Sequence, residues 1–216
     1  MTTADAPATD EIDWYFDFVS PFSYIALHRL RELQPLSMIR PRPVLLAGLL
    51  KHWGQLGPAE LPTKRRWTYR MADWQAQQAG LTLRFPAVHP FNPLPYLRLA
   101  IAAGGDWDSI HLIFDQLWTT TADPGSAETQ HELAARLDVD PAAADADWVK
   151  HSLRETTDEA ANKGVFGVPS LVIGDELFWG ADAIDFAAAY LADRRLFEQP
   201  EFKRLDTLPV GVRRQS

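Results

Sequence analysis

The sequence predicts an α/β fold in which strands near the two ends of the chain bracket a long helical insertion. Three observations carry this. Ile12 to Phe18 is a short run rich in aromatic residues with a turn signal behind it, the pattern of a buried strand. From Gly48 to Lys163 the apolar spacing and the stop signals are helical. Beyond that segment the period drops back to two, in Ser170 to Ile173 and Glu176 to Trp179, on either side of Gly174-Asp175.

Each element follows from its own signals. Ser20-Pro21 opens the first helix, because a serine at the cap accepts from an orphan N–H and proline at the first helical position lacks a donor that would go unused. Ile25, Leu27 and Leu30 continue it to about Leu33. Met38 to Leu46 reads as a strand, and Pro41 and Pro43 make it an edge or partial one. In the insertion, Pro62 and Lys64 to Gln78 form one helix ending at Gly80, and Pro95 to Ala103 a second, stopped by Gly104-Gly105. Asp106 to Thr121 is a third and Ser126 to Leu137 a fourth; Asp140-Pro141 caps a last stretch that closes at Gly164. Gly174-Asp175 is a two-residue hairpin loop with glycine first, and Asp182 to Ala192 is the terminal helix.

Composition narrows the function classes. The 216 residues, 46% hydrophobic, suffice for one good core with a helical lobe packed on it. A formal charge of −8 argues against a nucleic-acid partner, whose phosphates need clustered Lys and Arg. No apolar run reaches the roughly 20 residues that span a bilayer, and Met1 to Asp10 lacks a basic region followed by an apolar stretch; a soluble cytoplasmic protein without a membrane partner is expected. The absence of cysteine removes disulfides and thiolate metal sites, and the six histidines form no HExxH pair, so no metal is expected.

Two segments stand out. Trp14-Tyr15-Phe16-Asp17-Phe18-Val19-Ser20-Pro21-Phe22-Ser23 and Gly167-Val168-Pro169-Ser170 look like the active-site corner of a thioredoxin-type fold, where a strand runs into a helix whose first turn normally carries Cys-x-x-Cys. Both sulfur positions hold serine. Together with Leu61-Pro62-Thr63-Lys64, His89-Pro90-Phe91-Asn92-Pro93-Leu94 and Leu177-Phe178-Trp179-Gly180-Ala181-Asp182, in this order, they resemble the DsbA-type branch of the thioredoxin superfamily. Within it the chain is similar to the 2-hydroxychromene-2-carboxylate isomerases and the related kappa-class glutathione transferases. The resemblance implies a discontinuous thioredoxin-like domain, residues 11–47 and 164–216, with a helical insertion domain at 48–163, and a homodimer.

It also implies glutathione as the borrowed thiol and assigns residues to it. Ser20, otherwise only a helix cap, becomes the catalytic group that meets the glutathione sulfur; a donated hydroxyl and the helix N-terminus both favour thiolate. An unperturbed thiol of pKa about 8.5 is about 3% ionised at pH 7, and lowering it by about 2 requires roughly 2.7 kcal/mol. A hydrogen bond to a charged group supplies on the order of 1.5–3 kcal/mol and a helix terminus up to about 2, so the two suffice. Pro21 and Phe22 lie against the ligand, and Ser23 is read as a local helix hydroxyl. The family pattern makes Val168-Pro169 a cis bond that frees the Val168 N–H and C=O to pair with the cysteinyl unit as an added strand.

Lys64, Arg65 and Arg66 form a basic run whose ordinary reading is a solvated face; the resemblance singles out Lys64 for the glycyl carboxylate of glutathione or the substrate. Asp182 is a helix cap from the residues alone and by resemblance contacts the γ-glutamyl end of glutathione, beside Ala181, which stands where relatives offer a side-chain hydrogen bond. Ala183 follows where many relatives carry Arg. Asn92 is an Asx-turn residue or a contact to the second substrate. Trp67, Tyr69, Trp74, Trp118 and Trp179 are read as core, with one or two available to wall an aromatic pocket. No proton-transfer role is assigned to His28 or His89.

The expected function is a glutathione-dependent isomerase acting on an aromatic carboxylate in aromatic-hydrocarbon catabolism: ring opening and cis–trans isomerisation to trans-o-hydroxybenzylidenepyruvate, with glutathione regenerated. A kappa-like transferase that leaves glutathione on an electrophile is the nearest rival, and a non-catalytic module binding glutathione or peptides a second. Disulfide exchange is excluded, because it requires a protein thiol.

Overall fold

The computed structural model describes residues 11–212; the leader reading of Met1 to Asp10 falls outside the described residues. Four strands, β1 (Ile12–Phe16), β2 (Ile39–Pro43), β3 (Ser170–Ile173) and β4 (Glu176–Trp179), form one mixed sheet in the order β2-β1-β3-β4. β1 and β2 are parallel because helix α1 (Pro21–Arg29) crosses between them, whereas β3 and β4 are antiparallel across their two-residue loop. Gly174, at φ 63, adopts the left-handed conformation that this loop requires of its first residue. β2 has a single neighbour, as its two prolines demand: nitrogens without hydrogens can face only an open edge.

Several boundaries differ from expectation. β1 stops at Phe16 because a tight turn begins at Asp17, and α1 ends at Arg29, its tail tightening into a 3-10 turn at Leu30–Glu32. The second strand ends at Pro43, and the residues that follow enter an unexpected helix, α2 (Leu46–Trp53). Its N-cap is Leu45, which offers no side-chain acceptor. The caps come from elsewhere: Thr157 Oγ1 accepts the Leu45 N–H at 3.0 Å and Asp17 Oδ2 accepts the Leu46 N–H at 2.8 Å.

The insertion continues through α3 (Pro62–Gln78), α4 (Leu94–Ala102), α5 (Trp107–Trp118), α6 (Ala127–Arg136) and α7 (Asp147–Asn162). After the sheet come α8 (Ile184–Ala192) and a further helix, α9 (Pro200–Asp206), which the sequence reading did not anticipate.

Alternation along β1 divides the packing. Trp14 and Phe16 face one side and Tyr15 the other. On the first side the aromatic stack runs straight into the insertion: Trp14 lies 4.4 Å from Phe16 and 5.7 Å from Trp107, and Phe18 lies 4.6 Å from Phe114, ring centre to ring centre. All of the β1 rings are fully buried, so α5 is bound to the sheet by burial of several of the largest side chains in the chain. On the second side Tyr15 packs with Val44, Leu49, Val165 and Val172 beneath α2 and the end of α7. Asp13, buried on β1, is fixed by Arg40 Nε at 2.6 Å and Lys163 Nζ at 2.9 Å. Burial opposes its ionisation, but the two cations more than offset this and hold its pKa below the usual carboxylate range.

Candidate active site

β1 passes to α1 through the four-residue turn Asp17–Ser20, closed by the Ser20 N–H donating to the Asp17 carbonyl at 3.1 Å. Ser20 is the N-cap of α1, in extended backbone conformation, and its Oγ accepts the Ser23 N–H at 3.2 Å; Pro21 follows at the first helical position. One lone pair is therefore engaged, while the hydroxyl proton faces only the Val168 carbonyl at 3.5 Å, the outer limit of a hydrogen bond. The residue is buried at the positive end of the helix dipole. Ser23 is fully buried and its Oγ has no hydrogen-bond partner among the described residues.

The facing wall is the Gly167–Ser170 loop. Val168-Pro169 is cis, as expected, and the Val168 N–H has no hydrogen-bond partner among the described residues. Ser170 Oγ donates to the Gly167 carbonyl at 2.8 Å, and the Gly180 N–H donates to the Pro169 carbonyl at 2.9 Å. The second bond brings Ala181 and Asp182 next to the cis proline. A Cβ on Gly167 would fall 2.7 Å from the Trp179 indole nitrogen, so a larger residue there would have to displace that ring.

Asp182 departs from its expected capping role. It lies inside a 3-10 turn, Ala181–Ala183, and α8 starts only at Ile184 with Ala183 as N-cap and no side-chain cap bond. Its carboxylate is exposed and folds back over Gly180, whose φ of 105 only glycine adopts readily. Ala181 is buried, and its carbonyl accepts from Arg29 Nη1 at 3.1 Å. The Arg29 guanidinium also pairs with Glu32 and Asp185, so a cation stands beside the start of α8 although position 183 is alanine.

The turn carrying Ser20 is braced on every side by residues the sequence reading did not assign. Asp17 Oδ1 accepts the Val19 N–H at 3.0 Å, Trp118 Nε1 donates to the Phe18 carbonyl at 2.9 Å, and His89 Nε2 lies 2.8 Å from the Val19 carbonyl. Burial pushes the fully buried Asp17 up to about 7, even though the Val19 and Leu46 N–H bonds favour the carboxylate. The signal available in the sequence was an aromatic strand run carrying two acidic residues, Asp13 and Asp17, each costly to bury without a partner or a task.

The remaining assigned residues stand apart from this corner. Lys64 is in the first turn of α3, exposed and without an ion-pair partner among the described residues; Arg65 and Arg66 are exposed beside it. Asn92 forms the Asx turn, its Oδ1 accepting the Leu94 N–H at 3.1 Å. Phe22 is half-buried on the first turn of α1. Of the aromatic residues read as core, Trp118 is fully buried, whereas Trp67, Trp74 and Trp179 are 60%, 55% and 54% exposed. Helical and strand periodicity could not detect this, since each lies on the open face of its element.

Comparison with known proteins shows the family and the fold. The family described as DSBA-like thioredoxin domain matches residues 11–192. A 2-hydroxychromene-2-carboxylate isomerase from Sphingobium xenophagum is 30% identical over 197 residues, covering 86% of this chain and all of that protein. Glutathione S-transferase kappa 2 of Caenorhabditis elegans is 27% identical, covering 87% of this chain and 94% of its own length. A solved 2-hydroxychromene-2-carboxylate isomerase structure superposes with a TM-score of 0.72 at 25% identity, over 88% of this chain and 98% of the other. The chain belongs to the 2-hydroxychromene-2-carboxylate isomerase family of DSBA-like thioredoxin-domain proteins.

Proposed function

We propose that this protein is a glutathione-dependent isomerase of the 2-hydroxychromene-2-carboxylate type, and that Ser20 holds the glutathione sulfur as a thiolate. The observation that carries this reading is the state of the Ser20 hydroxyl. One of its lone pairs is taken by the Ser23 N–H and its proton is left with a 3.5 Å contact to the Val168 carbonyl, in a chain that has no cysteine of its own. A donor in that condition, at a helix N-terminus, suits a sulfur anion.

Glutathione would supply a thiolate able to add reversibly to a conjugated double bond. The chain's own residues do the rest. The unpaired Val168 N–H and its carbonyl offer one strand edge to an extended peptide. Asp182, exposed beyond Gly180, suits an ammonium group, and Ala181 packs beneath it; Pro21 and Phe22 form the adjoining floor. Lys64, exposed and without an ion-pair partner among the described residues of an acidic protein, suits a carboxylate of glutathione or of the aromatic substrate. The amide nitrogen of Asn92 is left over from its turn and can donate to the substrate.

The test is to mix protein, glutathione and 2-hydroxychromene-2-carboxylate and to follow both the absorbance change and free thiol. Formation of trans-o-hydroxybenzylidenepyruvate with no net loss of glutathione supports the reading. Stoichiometric loss of thiol would instead support a kappa-like transferase, the reading favoured by the kappa-class relative, and affinity without turnover would leave only a binding module.

A further inference from the structure

We propose that His89 is a positioning residue for Ser20: its Nε2–H bond to the Val19 carbonyl, backed by Tyr69, sets the peptide plane from which the Ser20 hydroxyl is aimed. This rests on the role given to Ser20 above.

The geometry is specific. A carbonyl can only accept, so the 2.8 Å contact to Val19 O places a proton on His89 Nε2. Tyr69 Oη lies 2.7 Å from Nδ1 of the same ring and 2.8 Å from the His89 carbonyl. In the neutral ring the single tyrosine proton bonds fully to only one of those two acceptors at a time. In the charged ring Nδ1–H would donate to the tyrosine oxygen, whose proton would pass to the carbonyl. Both arrangements leave Nε2–H on Val19, so the contact survives either protonation state, and burial favours the neutral one.

The Val19–Ser20 peptide is thereby held at both ends. Its C=O is fixed by His89 and its N–H by the Asp17 carbonyl at 3.1 Å. Because a peptide unit is planar, two such bonds fix its orientation, and the Ser23 N–H on Oγ then fixes the side-chain torsion. Val19 is only half-buried, so without His89 its carbonyl could turn toward water. His89 is packed for the task among Phe85, Trp118 and Phe91, with ring centres 5.6, 5.4 and 6.1 Å away.

The test compares His89→Gln, which retains a nitrogen donor at similar reach, His89→Leu, which removes it, and Phe85→Leu, which loosens the same ring cluster without touching a polar contact. In ligand-free protein, the Val19 carbonyl ¹³C shift and Ser20 amide exchange should change in His89→Leu and stay near wild type in the other two. With glutathione, ultraviolet thiolate titration should show the thiol pKa rising by about 1 in His89→Leu, with a loss of turnover of about tenfold that His89→Gln largely restores. If His89→Leu behaves like Phe85→Leu in both measurements, losing only thermal stability, the proposal is overturned. If wild-type protein forms no bound thiolate at all, the glutathione reading fails, and the ligand-free spectra still decide whether His89 sets this peptide.

Discussion

Trp118 and Phe18, one hundred positions apart, meet in a 2.9 Å bond from the indole Nε1 to a buried main-chain carbonyl. Trp118 ends helix α5 of the insertion; Phe18 lies in the turn that delivers Ser20. The helical insertion therefore does more than cover the sheet, because it supplies donors to two successive carbonyls, those of Phe18 and Val19, next to the proposed nucleophile-binding hydroxyl.

Replacing Trp118 by phenylalanine should expose the worth of that link. The Phe18 carbonyl would be left buried without a donor, costing about 1–3 kcal/mol, and the smaller ring would leave a void that adds to it. A reduced urea midpoint with an unchanged slope is expected, together with a fall in kcat larger than the rise in KM. An unaltered midpoint would mean that the bond contributes nothing net.

Asp17 makes stability depend on pH in a direction opposite to that of most carboxylates. Burial raises it to about 7, whereas the unfolded chain ionises it at its ordinary 3.8. Between those values the folded protein keeps a proton that the unfolded chain has lost, so its contribution to stability falls as pH rises from about 4 to about 7 and is constant above. The full span corresponds to about 4 kcal/mol. His28, His89 and His111, lowered mainly by burial, act in the other sense, adding stability as pH rises through the unfolded histidine value of 6.5. Asp17→Asn removes only the first effect. Its stability relative to wild type should climb with pH across that window in urea titrations at matched pH; parallel curves for the two proteins would refute the assignment.

The corner that holds Ser20 was legible because the motifs that carry the family resemblance are local: an aromatic strand run, Ser-Pro at a helix start, Val-Pro before a hairpin. What could not be read was set by distant partners. Helix α2 starts at a leucine that cannot cap it, and becomes intelligible only once Thr157 and Asp17 are seen to accept its first amides. Phe18 and Val19 show no sign in sequence of the Trp118 and His89 donors that fix them. The exposure of Trp67, Trp74 and Trp179 also escaped periodicity, which ranks faces of an element but not whether anything packs on them.

Lys64 has no ion-pair partner among the described residues, so its substitution should separate binding from folding. Lys64→Gln is expected to leave stability within about 0.5 kcal/mol of wild type. It should raise KM for the carboxylate-bearing ligand several-fold and weaken the dependence of KM on salt, since a fixed cation in a protein of net charge −8 is the local attraction for an anion. KM values for glutathione and the chromene carboxylate that both stay at wild-type levels would remove Lys64 from the site.

Ser20 and Ser23 provide the sharpest contrast, because two hydroxyls on the same helix turn are in opposite situations. Ser20 caps α1 and presents a nearly free proton, whereas Ser23 is sealed in the core with no partner. Ser20→Ala should cost about 1 kcal/mol of stability through the lost cap. It should also raise the pKa of bound glutathione by about 1–2, the equivalent of one hydrogen bond to a charged group, with turnover falling about tenfold to a hundredfold. Ser23→Ala deletes a buried hydroxyl that bonds to nothing, so stability should hold or increase by about 1 kcal/mol and the thiol pKa should not move. Thiolate absorbance against pH for the three proteins decides the matter. If the two variants shift the titration equally, the effect belongs to the helix terminus as a whole; if only Ser20→Ala does, one hydroxyl proton carries the ionisation, and the cap that starts the helix is also the group that holds the sulfur.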